Sequence, residues 1–155
     1  LPNKQGVPML LTWQPPDASH LEALFAFNKK LIDQYEDLSQ IPYQKVLAWA
    51  RQKLEQQIQE YTCIFADSKK AGYYHFSPMD SDTMELDDLY LFPAFRGHGI
   101  GTAVIQKCCA ETSQPILLYV FQRNTRAIAL YQKMGFQIQC TTQNVSRTRY
   151  IMRRG

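Results

Sequence analysis

Three features of the 155-residue chain predict an α/β domain with a mixed sheet of about seven strands and helices on both faces. First, short β-rich runs alternate with helical apolar stripes in the order β-α-α-β-β-β-α-β-α-β-β. Second, Ile116 to Phe121 is continuously apolar, the mark of a central strand covered on both faces. Third, a strand is followed by the glycine-rich segment Arg96-Gly97-His98-Gly99-Ile100-Gly101, which runs into a helix.

The elements follow in chain order. Met9 to Trp13 forms a first strand, stopped by Pro15-Pro16, and Ser19 with Glu22 reads as the capped start of a helix carrying Leu21, Leu24, Phe25 and Asn28. Pro42 opens a second helix, because its missing N–H is not needed there. That helix shows Leu47, Ala50, Leu54 and Ile58 on one face and runs to about Glu60. Tyr61 to Ala66 and Ala71 to Phe76 are strands around a turn at 67–70, and Ser77 to Asp82 is a second turn. Thr83 to Phe92 is the next strand, ended by Pro93. The helix after the glycines carries Ile100, Ala103, Val104 and Cys108. A last helix carries Ala127, Leu130, Tyr131 and Met134, and Gly135 closes it. Phe136 to Cys140 and Thr148 to Met152 complete the sheet. No linker or repeat divides the chain, so residues 7–155 are expected to form one domain. Leu1 to Gly6 read as a processed end or expression remnant and lack the pattern of a signal peptide.

Composition bounds the function. A chain of this length removes roughly 70% of its unfolded surface from water, enough for a core without staples. The 45% apolar, 20% charged and 12% aromatic content excludes disorder. No run approaches the roughly 20 apolar residues of a membrane helix. The net charge of +3 fits a phosphate-bearing ligand and is too mild for a nucleic-acid binder with no reader motif. The cysteines at 63, 108, 109 and 140 contain no C-x-x-C, and the histidines at 20, 75 and 98 stand far apart. No metal and no disulfide framework is therefore expected, and reduced thiols suit a cytoplasmic protein.

The glycine-rich turn carries the chemistry. The first N–H groups of a helix have no internal partner and favour an anion beyond the N-terminus. Gly97, Gly99 and Gly101 leave that backbone unobstructed, and Arg96 adds charge at the rim. The dinucleotide pattern G-x-G-x-x-G fails, because Val104 or Thr102 stands at its last position, and no G-K-[ST] tripeptide exists. An idle turn is the competing reading, but three alternating glycines weaken a helix start by roughly 1 kcal/mol each.

Arg96-x-x-Gly99-x-Gly101 matches [RQ]-x-x-G-x-[GA], the signature of the GCN5-related N-acetyltransferases (GNAT). Leu89 to Gly97 resembles that family's preceding L-x-V-x-P-x-x-R-G run. Asn124-x-x-Ala127-x-x-x-Tyr131-x-x-x-Gly135-Phe136 is similar to its second motif. The two motifs cover residues 85–136 in the family's order. The resemblance implies a mixed, mostly antiparallel sheet and an N-acetyltransferase that uses acetyl-coenzyme A as co-substrate. The pyrophosphate would sit on the amides of Arg96, Gly97, His98, Gly99, Ile100, Gly101 and Thr102, with His98 contributing only backbone. The pantetheine would pair along Leu89, Tyr90 and Leu91, and Asn124 and Ala127 would lie beside it.

The resemblance also implies catalytic roles. A protonated alkylamine must lose its proton before it attacks a thioester. Asp87 lies in a run similar to that of polyamine acetyltransferases, and Glu85 lies where the histone-acetylating branch places a glutamate. Both stay open as the base. Period-two alternation puts them on one strand face and Asp88 on the other. Tyr131 falls on the family's general acid for the departing thiolate, its competing role being a core aromatic. Arg123 and Arg126 read as phosphate contacts or a solvated basic face. Between the first helices, Asp33, Tyr35, Glu36 and Asp37 would line an acidic acceptor pocket suited to a cationic amine, or else form a solvated helix end. Arg147, Arg149, Arg153 and Arg154 read as edge-strand charges that prevent aggregation. The acceptor, a small-molecule amine or a peptide or protein amine, stays open, as does a homodimer. The rival function is a sensor of the same fold that binds acetyl-coenzyme A without turnover.

Overall fold

The computed structural model describes residues 9–142 and 148–155. Leu1 to Gly6 and Arg147 lie outside the described residues. The elements are β1 (Leu11–Gln14), α1 (Leu21–Tyr35), α2 (Tyr43–Gln57), β2 (Tyr61–Ala66), β3 (Lys69–Pro78) and β4 (Met84–Leu91). They continue with α3 (Ile100–Ala110), β5 (Ile116–Phe121), α4 (Thr125–Lys133), β6 (Gln137–Thr141) and β7 (Arg149–Arg154). This is the predicted order, and β2 and β5 have the predicted limits. The first cap differs. Asp17, not Ser19, accepts from the Ser19 amide, and its own N–H is bonded by His20 Nδ1 at 3.2 Å, so a short 3₁₀ turn precedes α1.

The seven strands lie in the order β1-β2-β3-β4-β5-β7-β6. All neighbours are antiparallel except β4 and β5, which run parallel. On one face, α3 and α4 pack Ile100, Val104, Ile105 and Leu130 against Ile64, Leu86, Leu118 and Met152. On the other, α1 and α2 bring Leu24 and Leu54 onto Tyr61, Cys63 and Tyr73. Apolar residues on the two faces of the sheet thus feed separate cores, and Ile32, Leu47 and Phe121 form a third cluster.

Two departures from regularity shape the centre of the sheet. The parallel pairing of β4 with β5 lasts only two residue pairs, Met84 with Ile116 and Glu85 with Leu117, after which the strands diverge. Tyr119 is therefore 41% exposed, where continuous hydrophobicity predicted a strand covered on both faces. In the β3–β4 ladder, His75 faces Asp87 and Tyr73 faces Tyr90, so Tyr74 alone stands opposite both Asp88 and Leu89. This is a β-bulge, and Asp88 within it takes a left-handed conformation with φ of 49°. The strands approach so closely nearby that a Cβ on Gly72 would lie 1.9 Å from the Tyr90 carbonyl oxygen.

Arg149, Arg153 and Arg154 are not on an edge. β7 inserts between β5 and β6, leaving β1 and β6 as the outer strands. Arg149 stacks over Phe121 at 4.8 Å, and Arg154 Nε donates to the Met134 carbonyl.

Candidate active site

Where β4 and β5 diverge, a cleft of about 1030 Å³ opens between α1, α2, the glycine turn and α4. One wall is backbone. Gly99 caps α3 in the left-handed conformation with φ of 79°, and no side chain caps the helix. Gly97 has φ of 76° and open space where a Cβ would stand. Gly99, Ile100, Gly101 and Thr102 line the cleft at this helix start, whose unpaired amides suit a phosphate group. Leu89, Tyr90, Leu91, Arg96, Gly97, Gly99, Ile100, Gly101, Thr102, Asn124, Ala127 and Tyr131 all line the cleft; His98 does not. Arg96 turns back along the strand. Its Nε donates to the Leu91 carbonyl at 3.0 Å and its guanidinium lies 5.5 Å from the Tyr90 ring. Asn124 caps α4 by accepting from the Ala127 amide at 3.3 Å.

The opposite wall is made of side chains. Asp87 and Asp88 both line it, contrary to the alternation that placed them on opposite faces. The bulge is the reason, since an extra residue re-phases the strand between the two. Asp87 Oδ2 accepts from Lys53 Nζ at 2.7 Å and lies 3.9 Å from His75 Nδ1. His75 is buried, and its Nε2 meets Glu60 Oε1 at 3.2 Å. The Tyr61 hydroxyl donates to Asp88 while its ring stacks on His75 at 4.6 Å.

The two carboxylates titrate apart. Burial opposes ionisation of Asp87, but His75 and Lys53 outweigh it and hold the group well below the usual carboxylate range. Burial pushes Asp88 up, the Asp87 charge adds to the effect, and Lys53, Tyr61 and Asn28 only partly offset it. Burial with both carboxylate charges also raises the Tyr131 hydroxyl, which stays protonated at neutral pH. Paired groups with environments that separate their proton affinities are the usual arrangement for acid–base work.

Glu85 does not line the cleft. It pairs with Leu117 in the short parallel ladder, and burial beside Asp87 raises its carboxyl. Tyr35 lines the cleft, stacked on Phe121 at 5.7 Å. Glu36 and Asp37 do not. Glu36 is buried and accepts from the Thr148 hydroxyl, and Asp37 accepts from the Ser39 amide. Asp33 is taken up by Lys29 and Tyr43. The expected acidic pocket is thus not assembled from these residues, and Lys30, Lys53, Arg96, Arg126 and Arg149 are the cations lining the cleft. Sequence reasoning missed Asp88, Lys53, His75 and Tyr61. A signal existed in the Asp87-Asp88 doublet, because regular alternation would force one of two adjacent acids in a central strand into an apolar core.

The profile of the acetyltransferase (GNAT) family matches residues 24–136, and the chain belongs to that family. It is 34% identical over 79 residues to an uncharacterized N-acetyltransferase of Mycobacterium tuberculosis, covering 48% of this chain and 51% of the relative. It is 34% identical over 70 residues to the thialysine N-epsilon-acetyltransferase of Mus musculus, covering 42% and 41% respectively. The matches thus span about half the length of these curated relatives or less. Among solved structures, the PaiA N-acetyltransferase of Thermoplasma acidophilum in complex with coenzyme A superposes with a TM-score of 0.68 at 20% identity, over 94% of this chain and 99% of that one. Naa50 of Arabidopsis thaliana, bound to a bisubstrate analogue, gives a TM-score of 0.62 at 20% identity over 94% and 98%. These structures share the fold. Among the described residues, no helix is long and apolar enough to cross a membrane, and no group of three His, Cys, Asp or Glu side chains is placed to hold a metal ion.

Proposed function

We propose that this protein is an N-acetyltransferase that moves an acetyl group from acetyl-coenzyme A to a primary amine, the amine attacking directly while both substrates are bound. The observation that carries this reading is the placement of Asp87, Asp88 and Tyr131 in one cleft with the uncapped start of α3. Acetyl-coenzyme A supplies a thioester carbonyl and a thiolate leaving group. Gly97, Gly99, Ile100, Gly101 and Thr102 receive its phosphates on backbone amides, and the edge of β4 released by the divergence from β5 offers Leu89 to Leu91 for main-chain pairing. Asn124 orders the start of α4 beside them.

On the acceptor side, Asp87 stays ionised and holds the incoming ammonium. Asp88, with the higher proton affinity of the pair, accepts the proton as the amine attacks, since a base works best with a pKa near the working pH. His75, whose proton Glu60 and Asp87 help to hold, stabilises the Asp87 charge. Tyr131 retains its proton until a thiolate develops and then donates it. A sensor that binds acetyl-coenzyme A without turnover has no use for a split carboxylate pair facing a protonated tyrosine, so that alternative is not favoured. The acceptor is a small-molecule amine or an amine of a peptide or protein. Glu85, behind the ladder, is not needed for these steps.

A panel of amines assayed for thiol release with acetyl-coenzyme A tests the reading. Release with at least one amine is expected, with turnover falling as pH drops through the raised Asp88 titration. Asp88→Asn should lose that acid limb, whereas Glu85→Gln should keep it. No release with any amine, despite binding of acetyl-coenzyme A, would leave the sensor.

A further inference from the structure

One cleft residue is unused by these steps and stands where a substrate atom belongs. Lys53, on α2, reaches into the cleft and donates from Nζ to Asp87 Oδ2 at 2.7 Å. A base or ammonium holder must stand about 2.6–3.2 Å from the nitrogen it serves. The Lys53 amine is therefore already at the distance from Asp87 that an acceptor amine has to reach. Its side chain is 51% exposed, so a ligand in the cleft can meet it. Lys53 and Tyr131 both feel the charges of Asp87 and Asp88, which sets amine and acid around the same carboxylate pair. Other pairs involving lysine, such as Lys29 with Asp33 and Lys107 with Glu111, are single-turn contacts along one helix. The Lys53–Asp87 pair instead joins a helix to the bulged strand.

We propose that Lys53 is an internal acceptor, acetylated on Nζ by the protein's own cleft. This rests on the reading of the site as an acetyltransferase. The Lys53 ammonium gives one proton to the carboxylate pair, and the freed nitrogen forms a bond to the thioester carbonyl carbon. The carbon–sulfur bond breaks, the departing thiolate takes a proton from Tyr131, and the second proton of the acylated nitrogen restores the Tyr131 hydroxyl. The products are a neutral N-acetyl-lysine, coenzyme A and one released proton. Acetylation removes the cation from Asp87 and so opens that carboxylate to a diffusing ammonium. The modification is thus also a switch from an occupied to a receptive cleft.

The test uses the full chain with acetyl-coenzyme A and no added amine, followed by intact mass and peptide mapping. One acetyl group is expected on Lys53, appearing at a rate independent of protein concentration and saturating with acetyl-coenzyme A. Exposed Lys69 and Lys133 in the same molecule report the background rate. Lys53 should exceed them by roughly 10²-fold, the lower bound of acid–base assistance. Lys53→Arg keeps a cation for Asp87 but should lose the adduct, and Tyr131→Phe should slow its formation without unfolding the protein. If an amine from the panel is acetylated while Lys53 is modified no faster than Lys69 and Lys133, the internal-acceptor proposal is overturned and the acetyltransferase reading stands. If neither Lys53 nor any amine is acetylated, both fall. A rate that grows with protein concentration would show transfer between molecules and overturn the internal route.

Discussion

The two walls of the cleft are built from different material. The wall of Gly97, Gly99, Gly101 and Asn124 works through main-chain groups, so its requirements are written as glycines and a cap at fixed spacing. The wall of Asp87, Asp88, Lys53, His75 and Tyr61 works through side chains from four elements, brought together by one extra residue in β4. A backbone-built site tolerates changes in side chains that leave the turn intact. A side-chain site depends on the phase of a strand, which no local motif records.

The comparison can be broken at several points. The largest effect is expected from Gly101→Glu. A Cβ at that position meets only Leu130 at 3.5 Å, and a carboxylate in the first turn of a helix favours the fold. The same carboxylate would face the phosphates, so calorimetry should show acetyl-coenzyme A binding lost with the melting temperature kept. Retained binding would take the cofactor off this wall. Next, Tyr131→Phe should reduce single-turnover rates by roughly 10²–10⁴-fold with little change in cofactor affinity, because the hydroxyl acts only as the thiolate forms. The ring that packs edge-on to Phe136 at 5.8 Å is preserved. Full activity would make Tyr131 a core aromatic.

Gly72→Ala tests the join between the walls. Its methyl cannot coexist with the Tyr90 carbonyl, so the strands must part, at a cost of about 3 kcal/mol in urea denaturation. The smallest effect should come from Asp88→Asn, and it has an unusual sign. The folded state holds the Asp88 proton more tightly than the unfolded chain does, so the stability it contributes is present at low pH. That contribution is lost as pH rises through the raised titration. The variant lacks this loss, and its melting temperature relative to the parent should rise with pH across that window while its turnover falls. An unchanged difference across the window would mean that Asp88 is not raised.

What could be read in advance divides along the same line. A β-rich run bounded by turn residues located β2 and a continuous apolar run located β5, each to the residue, because buried strands leave a compositional trace. The glycine turn and Asn124 were legible for the same reason, each meeting a backbone need that few residue types satisfy. Asp88 was misplaced because alternation presumes unbroken pairing. Lys53 and His75 carry no trace at all, being one cation on an exposed helix face and one histidine in a β-rich run. Their meaning arises only when β3, β4 and α2 meet. The acidic stretch Asp33 to Asp37 misled in the other direction, since helix ends and turns consume carboxylates locally.

The brevity of the parallel ladder bears on how the chain assembles. Strands β1 to β4 form one antiparallel block and β5 to β7 another, while among the described residues the ladder between the two sets is limited to Met84–Ile116 and Glu85–Leu117. Segments of this kind open as separate cooperative units. Parallel contacts across a helical crossover close late, since loop entropy is lost before they form. The same seam that leaves room for two substrates is therefore the last part of the sheet to be made and the first to come undone.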